Sequence, residues 1–194
     1  MILRISQELE AAKIDPVRDP ASARVIMFNL STVSQLKGMR SLPQSDIDKL
    51  FSIYESAIEK KISNCSALVD IKSEASADEF SAIQTLCNET LRDYLRILRF
   101  SLFAEIEDYP KPIELTESQV GIAENAFAEN ISSVFDGDEA ALERFFTVSA
   151  DYKKYPPNEY CPAMHIMFKT VSQMNGLSGS WMRRQFAEYM SERM

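Results

Sequence analysis

Glycine is scarce in this chain: only five are found among 194 residues. Strand-rich folds draw on glycine for positive-φ turns, so the shortage argues against a sheet architecture. There is a single histidine, which excludes multi-histidine metal sites. Cysteine is equally sparse. Three of them, an odd number at wide spacing, make no disulfide framework, and the simplest expectation is a reduced, cytoplasmic protein. Export by a leaderless bacterial route leaves the same composition and stays open. No apolar run approaches the roughly 20 residues that cross a bilayer. Residues 1–15 alternate apolar with charged side chains and lack the uninterrupted core of a signal peptide. A glycine-rich phosphate loop, a G-x-S-x-G elbow and an H-E-x-x-H pair are all missing. These gaps remove most enzyme classes, and no cofactor and no metal site are expected.

What is present is helical periodicity. From 45 to 106 the spacing predicts two long helices joined by a short turn. Ile47, Phe51, Tyr54, Ile58, Ile62, Cys65 and Leu68 mark one stripe; Phe80, Ile83, Cys87, Leu91, Tyr94, Leu98 and Leu102 mark the other. Steps of mostly three and four place each set on one face, and two such faces joined by a tight turn bury each other. The first arm opens at Ser45 with Asp48 in the third following position and runs to about Lys72. Ser76 with Glu79 forms a capping box that opens the second. In this antiparallel pair Cys65 and Cys87 fall near one layer, as small buried hydrophobes.

Before the hairpin the pattern predicts a short amphipathic helix over 2–13, broken by Asp15-Pro16 and Asp19-Pro20. A second helix over 21–39 carries Val25, Ile26, Leu30, Val33 and Leu36, with Gly38 as a stop signal. After it, Pro110 and Pro112 end the second arm. Thr116 with Gln119 is a capping box for a helix with Val120, Ala123, Phe127, Ile131 and Val134 inward. Asp136-Gly137-Asp138 stops that helix and caps the next; read as a calcium loop it fails, because Ala140 and Thr147 stand where ligands are needed. A loop rich in tyrosine, lysine and proline over 151–162 precedes two last helices, about 163–175 and 180–192. No segment alternates with period two. The expected fold is all-α, with seven to eight helices packed on a long central antiparallel helical hairpin (about 45–106). The chain reads as a single domain, 1–194, with possible sub-lobes at 1–107 and 116–194.

Net charge is −8 and unevenly placed. Between Glu105 and Asp151 stand twelve acids against only Lys111 and Arg144, a local −10 that leaves the rest of the chain at +2. Such a block repels nucleic acid and anionic membrane and attracts a basic partner; the alternative is a merely solvated helix face. Three further features carry chemistry. Cys161 and His165 are one turn apart, and a helix beginning near Cys161 would lower its thiol pKa, with the imidazolium adding to the effect. The competing reading is two packed side chains with no third orienting residue. Arg92, Arg96 and Arg99 align on one helix face, for gripping an anion or for pairing with neighbouring acids such as Glu124 or Glu129. Met164, Met167, Met174, Met182, Met190 and Met194 are six of nine methionines, and with Trp181, Phe186 and Tyr189 they fit either an adaptable interface or a core.

Together these features point to a non-enzymatic helical protein-interaction module: an adaptor, an immunity-type inhibitor or a small bacterial effector. It would bind a protein partner with a basic or apolar surface, with Glu117, Glu124 and Glu129 steering and Trp181, Met182 and Phe186 supplying buried contacts. No nucleic acid and no membrane insertion are expected. The alternatives are a thiol-dependent enzyme using Cys161 and His165, and a helical bundle with a small-molecule pocket lined by Met and Phe.

Overall fold

The computed structural model describes residues 2–60, 62, 65 and 87–192. Among these the chain is all-α: eight α-helices, two short 3-10 turns and no strand. In chain order they are α1 (Ile2–Ala11), α2 (Pro20–Gly38), α3 (Gln44–Lys60), α4 (Asn88–Glu107), α5 (Glu117–Val134), α6 (Glu139–Ala150), α7 (Pro157–Gln173) and α8 (Gly176–Glu192), with 3-10 turns at Met39–Ser41 and Tyr152–Lys154. None of the described helices is long and apolar enough to cross a membrane.

Local chemistry explains several boundaries. The Asp19 carboxylate accepts from the Ser22 amide at 3.1 Å, and Pro20 follows at the first helical position of α2, where its missing N–H costs nothing. Thr116 and Gln119 complete a reciprocal capping box, with amide-to-side-chain bonds of 3.3 and 2.8 Å. Asp136 and Gly137 take positive φ after α5, and Asp138 then accepts from the Ala141 amide at 3.0 Å to start α6. Asp108, at φ 51°, closes α4 ahead of the two prolines.

At the centre is α3. Ile47, Leu50, Phe51, Ile53, Ala57 and Ile58 are each no more than 2% exposed, the outcome expected of apolar residues at three- and four-residue steps. Full burial of a side chain such as Phe51 or Leu50 contributes about 1.5–3 kcal/mol. Helices α4, α7 and α8 all pack on it, and side-chain pairs fix the direction of the first two. Against α4, Asp46 pairs with Arg96 and Lys49 with Asp93; the falling partner numbers give an antiparallel register. Against α7, Phe51 meets Phe168 with ring centroids 5.9 Å apart, Glu55 lies beside His165, and Cys65 meets Cys161. That pair is antiparallel too. Buried apolar residues from Met39 to Ala187, drawn from both halves of the chain, form one contiguous cluster.

Several expectations change. The α3 helix begins at Gln44, so Ser45 lies inside it, and it ends at Lys60 rather than near Lys72. Asp48 does not cap; it accepts from Gln44 Nε2 at 2.6 Å and from Arg183 Nε at 2.6 Å. The Ser76–Glu79 cap, Leu68, Phe80, Ile83 and the expected turn lie outside the described residues. So do the side chains of Val25, Val33, Leu36, Met190 and Met194. Gly38 is not a left-handed stop but a helical residue at φ −71°. A Cβ there would stand 1.8 Å from the Ser101 carbonyl oxygen, so its role is to let α2 and α4 approach. The 151–162 loop is short: Tyr152 and Tyr155 pack against the core and Tyr160 is buried.

Candidate functional site

Burial answers part of the methionine and aromatic question. Met164, Met174 and Met182 are each at most 5% exposed, and Trp181 and Phe186 pack against the core cluster. Phe186 lies 6.0 Å from Phe51 and 5.5 Å from Phe168, edge to face with both, a geometry that adds to area burial. The sequence left open whether these side chains form an interface or a core. Met182 is buried and offers a partner no surface, whereas Trp181 and Phe186 pack on the core with part of each side chain still exposed.

The expected arginine stripe on α4 is also divided. Arg96 is held by Asp46 of α3 in a two-pronged pair of 3.0 and 2.7 Å. That hydrogen bond holds the guanidinium above its ordinary pKa. Arg99 lies over the Phe103 ring at 5.7 Å, and Arg92 is exposed. Anion binding by all three together therefore loses its central member, because a carboxylate of the same molecule already fills the fork.

Two buried arginines escaped the sequence reading. Arg183, 5% exposed, donates to the Met174 carbonyl at 3.1 and 3.0 Å, to the Val171 carbonyl, and to Asp48. It thus satisfies the orphan carbonyls that end α7 and places positive charge at the negative end of that helix. Arg184 donates to the Arg40 and Leu42 carbonyls at 3.2 and 3.0 Å. Their clue was present only as an Arg-Arg pair between Met182 and Gln185.

The seam between α3 and α7 is the richest in chemistry. The α7 helix starts at Pro157, four residues before Cys161, which removes Cys161 from the first turn. Cys161 is fully buried and disulfide-bonded to Cys65, with Cα atoms 5.6 Å apart. The alternative reading of Cys161 as a thiolate nucleophile does not hold for this bonded sulfur, since a disulfide sulfur neither titrates nor attacks as a thiolate. The same bond corrects the expectation of a wholly reduced protein and the pairing of Cys65 with Cys87 in one layer. Cys87 is instead exposed at the amino end of α4, its sulfur 3.1 Å from the Thr90 hydroxyl. Hydrogen bonds from the Thr90 side chain and amide draw its thiol pKa down.

One turn beyond Cys161, His165 faces α3 on the same side. Its Nε2 lies 3.8 Å from Glu55 Oε1, is buried, and has no hydrogen-bond partner. Glu59, one turn after Glu55, completes a group whose three ligand atoms lie within 4.8 Å of one another. His165 and Glu55 side chains are 14% and 20% exposed, whereas Glu59 is at the surface. Sequence reasoning missed the carboxylates because Glu55 and Glu59 are more than a hundred positions from His165.

On the opposite side of the core, α5 packs its Ala123 and Ile131 face against α7 and α8. Glu117, Glu124 and Glu129 are all exposed and have no ion-pair partner among the described residues. At about 100° per residue, Glu117 and Glu124 share one edge of the outward face, and Glu129 shares the other with Ile122. Ile122 is 47% exposed, and Phe146 on α6 is 44%. Both cations of the acidic block are engaged: Lys111 with Asp108, and Arg144 with Glu159 while lying 4.8 Å from the Tyr155 ring centre.

Set beside known proteins, the chain matches no family model, no curated protein and no solved structure.

Proposed function

We propose that the protein is a helical interaction module whose outward α5–α6 face binds a basic protein surface. The observation that supports this most is the set Glu117, Glu124 and Glu129, exposed and without cationic partners among the described residues. Uncompensated charge of one sign on a rigid helix steers a partner of the other sign and rejects nucleic acid and anionic lipid. Apolar contact comes from Ile122 and Phe146, in place of the buried Met182 and the core-packed Trp181 and Phe186. Rim charges speed association, and a few apolar anchors slow dissociation. The mechanism is occlusion or scaffolding rather than bond-making. Cys65–Cys161 fits a protein that works where disulfides persist, such as an exported adaptor, inhibitor or effector.

The test is affinity purification from the native source with the wild-type chain and with Glu117→Lys/Glu124→Lys/Glu129→Lys, at low and at high salt. A specific partner should be retained by the wild type at low salt and lost, by tenfold or more, in the variant and at high salt. Equal retention under all four conditions contradicts the reading.

A further inference from the structure

We propose that Glu55, Glu59 and His165 form a binding site for a first-row divalent cation of the zinc class. A buried ring nitrogen without a hydrogen-bond partner is costly to keep. His165 Nε2 is such an atom, 3.8 Å from Glu55, and Glu59 falls with both residues in one group of ligand atoms within 4.8 Å of one another. At 3.8 Å the Glu55 oxygen is beyond a normal hydrogen bond. It is close to the ligand-to-ligand spacing of a tetrahedral zinc site, roughly 3.3–3.6 Å when each ligand stands about 2.0–2.2 Å from the metal. Glu59 closes the remaining gap by a rotamer change of an exposed side chain, which meets little packing resistance.

The donor set narrows the cation. An imidazole nitrogen with two carboxylate oxygens suits zinc and its transition-metal neighbours; magnesium and calcium take oxygen ligands. Two carboxylates balance the dication's charge. The surface position of Glu59 leaves a fourth place open to water or to a group from a partner. Helix geometry supplies the rest. Glu55 and Glu59 are four apart on α3, so they project from one face, and His165 meets them from the antiparallel α7. One turn further along, the Cys65–Cys161 bond ties chain beyond the end of α3 to α7, which holds the ligands in register before any cation arrives. A cation here joins two central helices.

The experiment uses the full-length oxidised protein carrying Cys87→Ser, so that no free thiol competes, after chelator treatment and buffer exchange. Calorimetric titration with zinc chloride should show one saturable site, and cobalt chloride should develop the visible absorption of a four-coordinate site. Magnesium and calcium chloride should displace neither. Glu59→Gln, a surface change that leaves the fold intact, and His165→Ala should each weaken zinc at least tenfold. Saturating zinc should raise the melting temperature of the parent and not of the variants. No saturable zinc binding, or binding of equal strength in Glu59→Gln, overturns the proposal. In that outcome, a melting temperature lowered by His165→Ala marks His165 as a plain ion-pair partner of Glu55.

Discussion

Single residues in this molecule owe their properties to where a helix starts, and Cys87 shows this most clearly. Its sulfur lies at the amino end of α4 with the Thr90 hydroxyl 3.1 Å away. Donors aimed at a thiolate favour the charged form, so the Thr90 hydroxyl and amide draw the thiol pKa down. The sign follows directly: the thiolate fraction at any neutral pH exceeds that of an unperturbed cysteine. Under non-reducing conditions iodoacetamide should therefore modify one cysteine per chain, Cys87, with a rate midpoint below that of the same cysteine in the unfolded chain. Thr90→Val should move that midpoint up. Peptide mass mapping checks the site, and modification of Cys65 or Cys161 in the folded oxidised chain contradicts it. Residue-scale chemistry of this kind was partly legible. The caps at Thr116 and Asp138 use groups within three positions, so spacing alone identified them. The environment of Cys87 was misjudged because the apolar stripe predicted for the second arm carried it inward, whereas α4 begins only at Asn88.

Between elements, close approach matters more than propensity. Gly38 sits where α2 crosses α4, and the atom a new Cβ would strike is the Ser101 backbone oxygen at 1.8 Å. Backbone cannot rotate aside. Gly38→Ala must push the helices apart and should cost about 3 kcal/mol, lowering the melting temperature by roughly 6–12 °C for a chain of this size. Gly121 on α5 provides the contrast, since no atom lies within 4 Å of its added Cβ. Gly121→Ala should stabilise by about 0.5–1 kcal/mol through helix propensity. Thermal unfolding by circular dichroism compares the two; equal effects from both contradict the packing argument. Sequence spacing identified the stripe of α3 because its apolar positions keep helical period through Ile58. It could not say where the helix stopped, as the same period continues past Lys60, nor that α7 would be an antiparallel neighbour as well as α4. That depends on partners a hundred positions away, and no local pattern encodes them.

At the scale of the whole molecule, one core serves both halves of the chain and takes in two arginines. One cluster of buried side chains runs through both halves, and Met164, Met174 and Met182 help to close it. Buried Arg183 joins Asp48 of α3 to the end of α7, and the Cys65–Cys161 bond joins chain 96 positions apart. A cross-link closing so long a loop contributes about 4–5 kcal/mol in the chain-entropy view. The all-α class was legible from period and from scarce glycine. Whether the Met-rich face was core or interface was not, because a hydrophobic pattern shows that a face is covered and never by what. The acidic segment differs: charge is written directly in composition, and the fold adds that Glu117, Glu124 and Glu129 are exposed. The most direct measurement of the interaction account is hydrogen–deuterium exchange of the protein alone and with its purified partner. Slowed exchange should concentrate in residues 117–150, on α5 and α6. Protection confined to α4 or α8, with α5 unchanged, would contradict it.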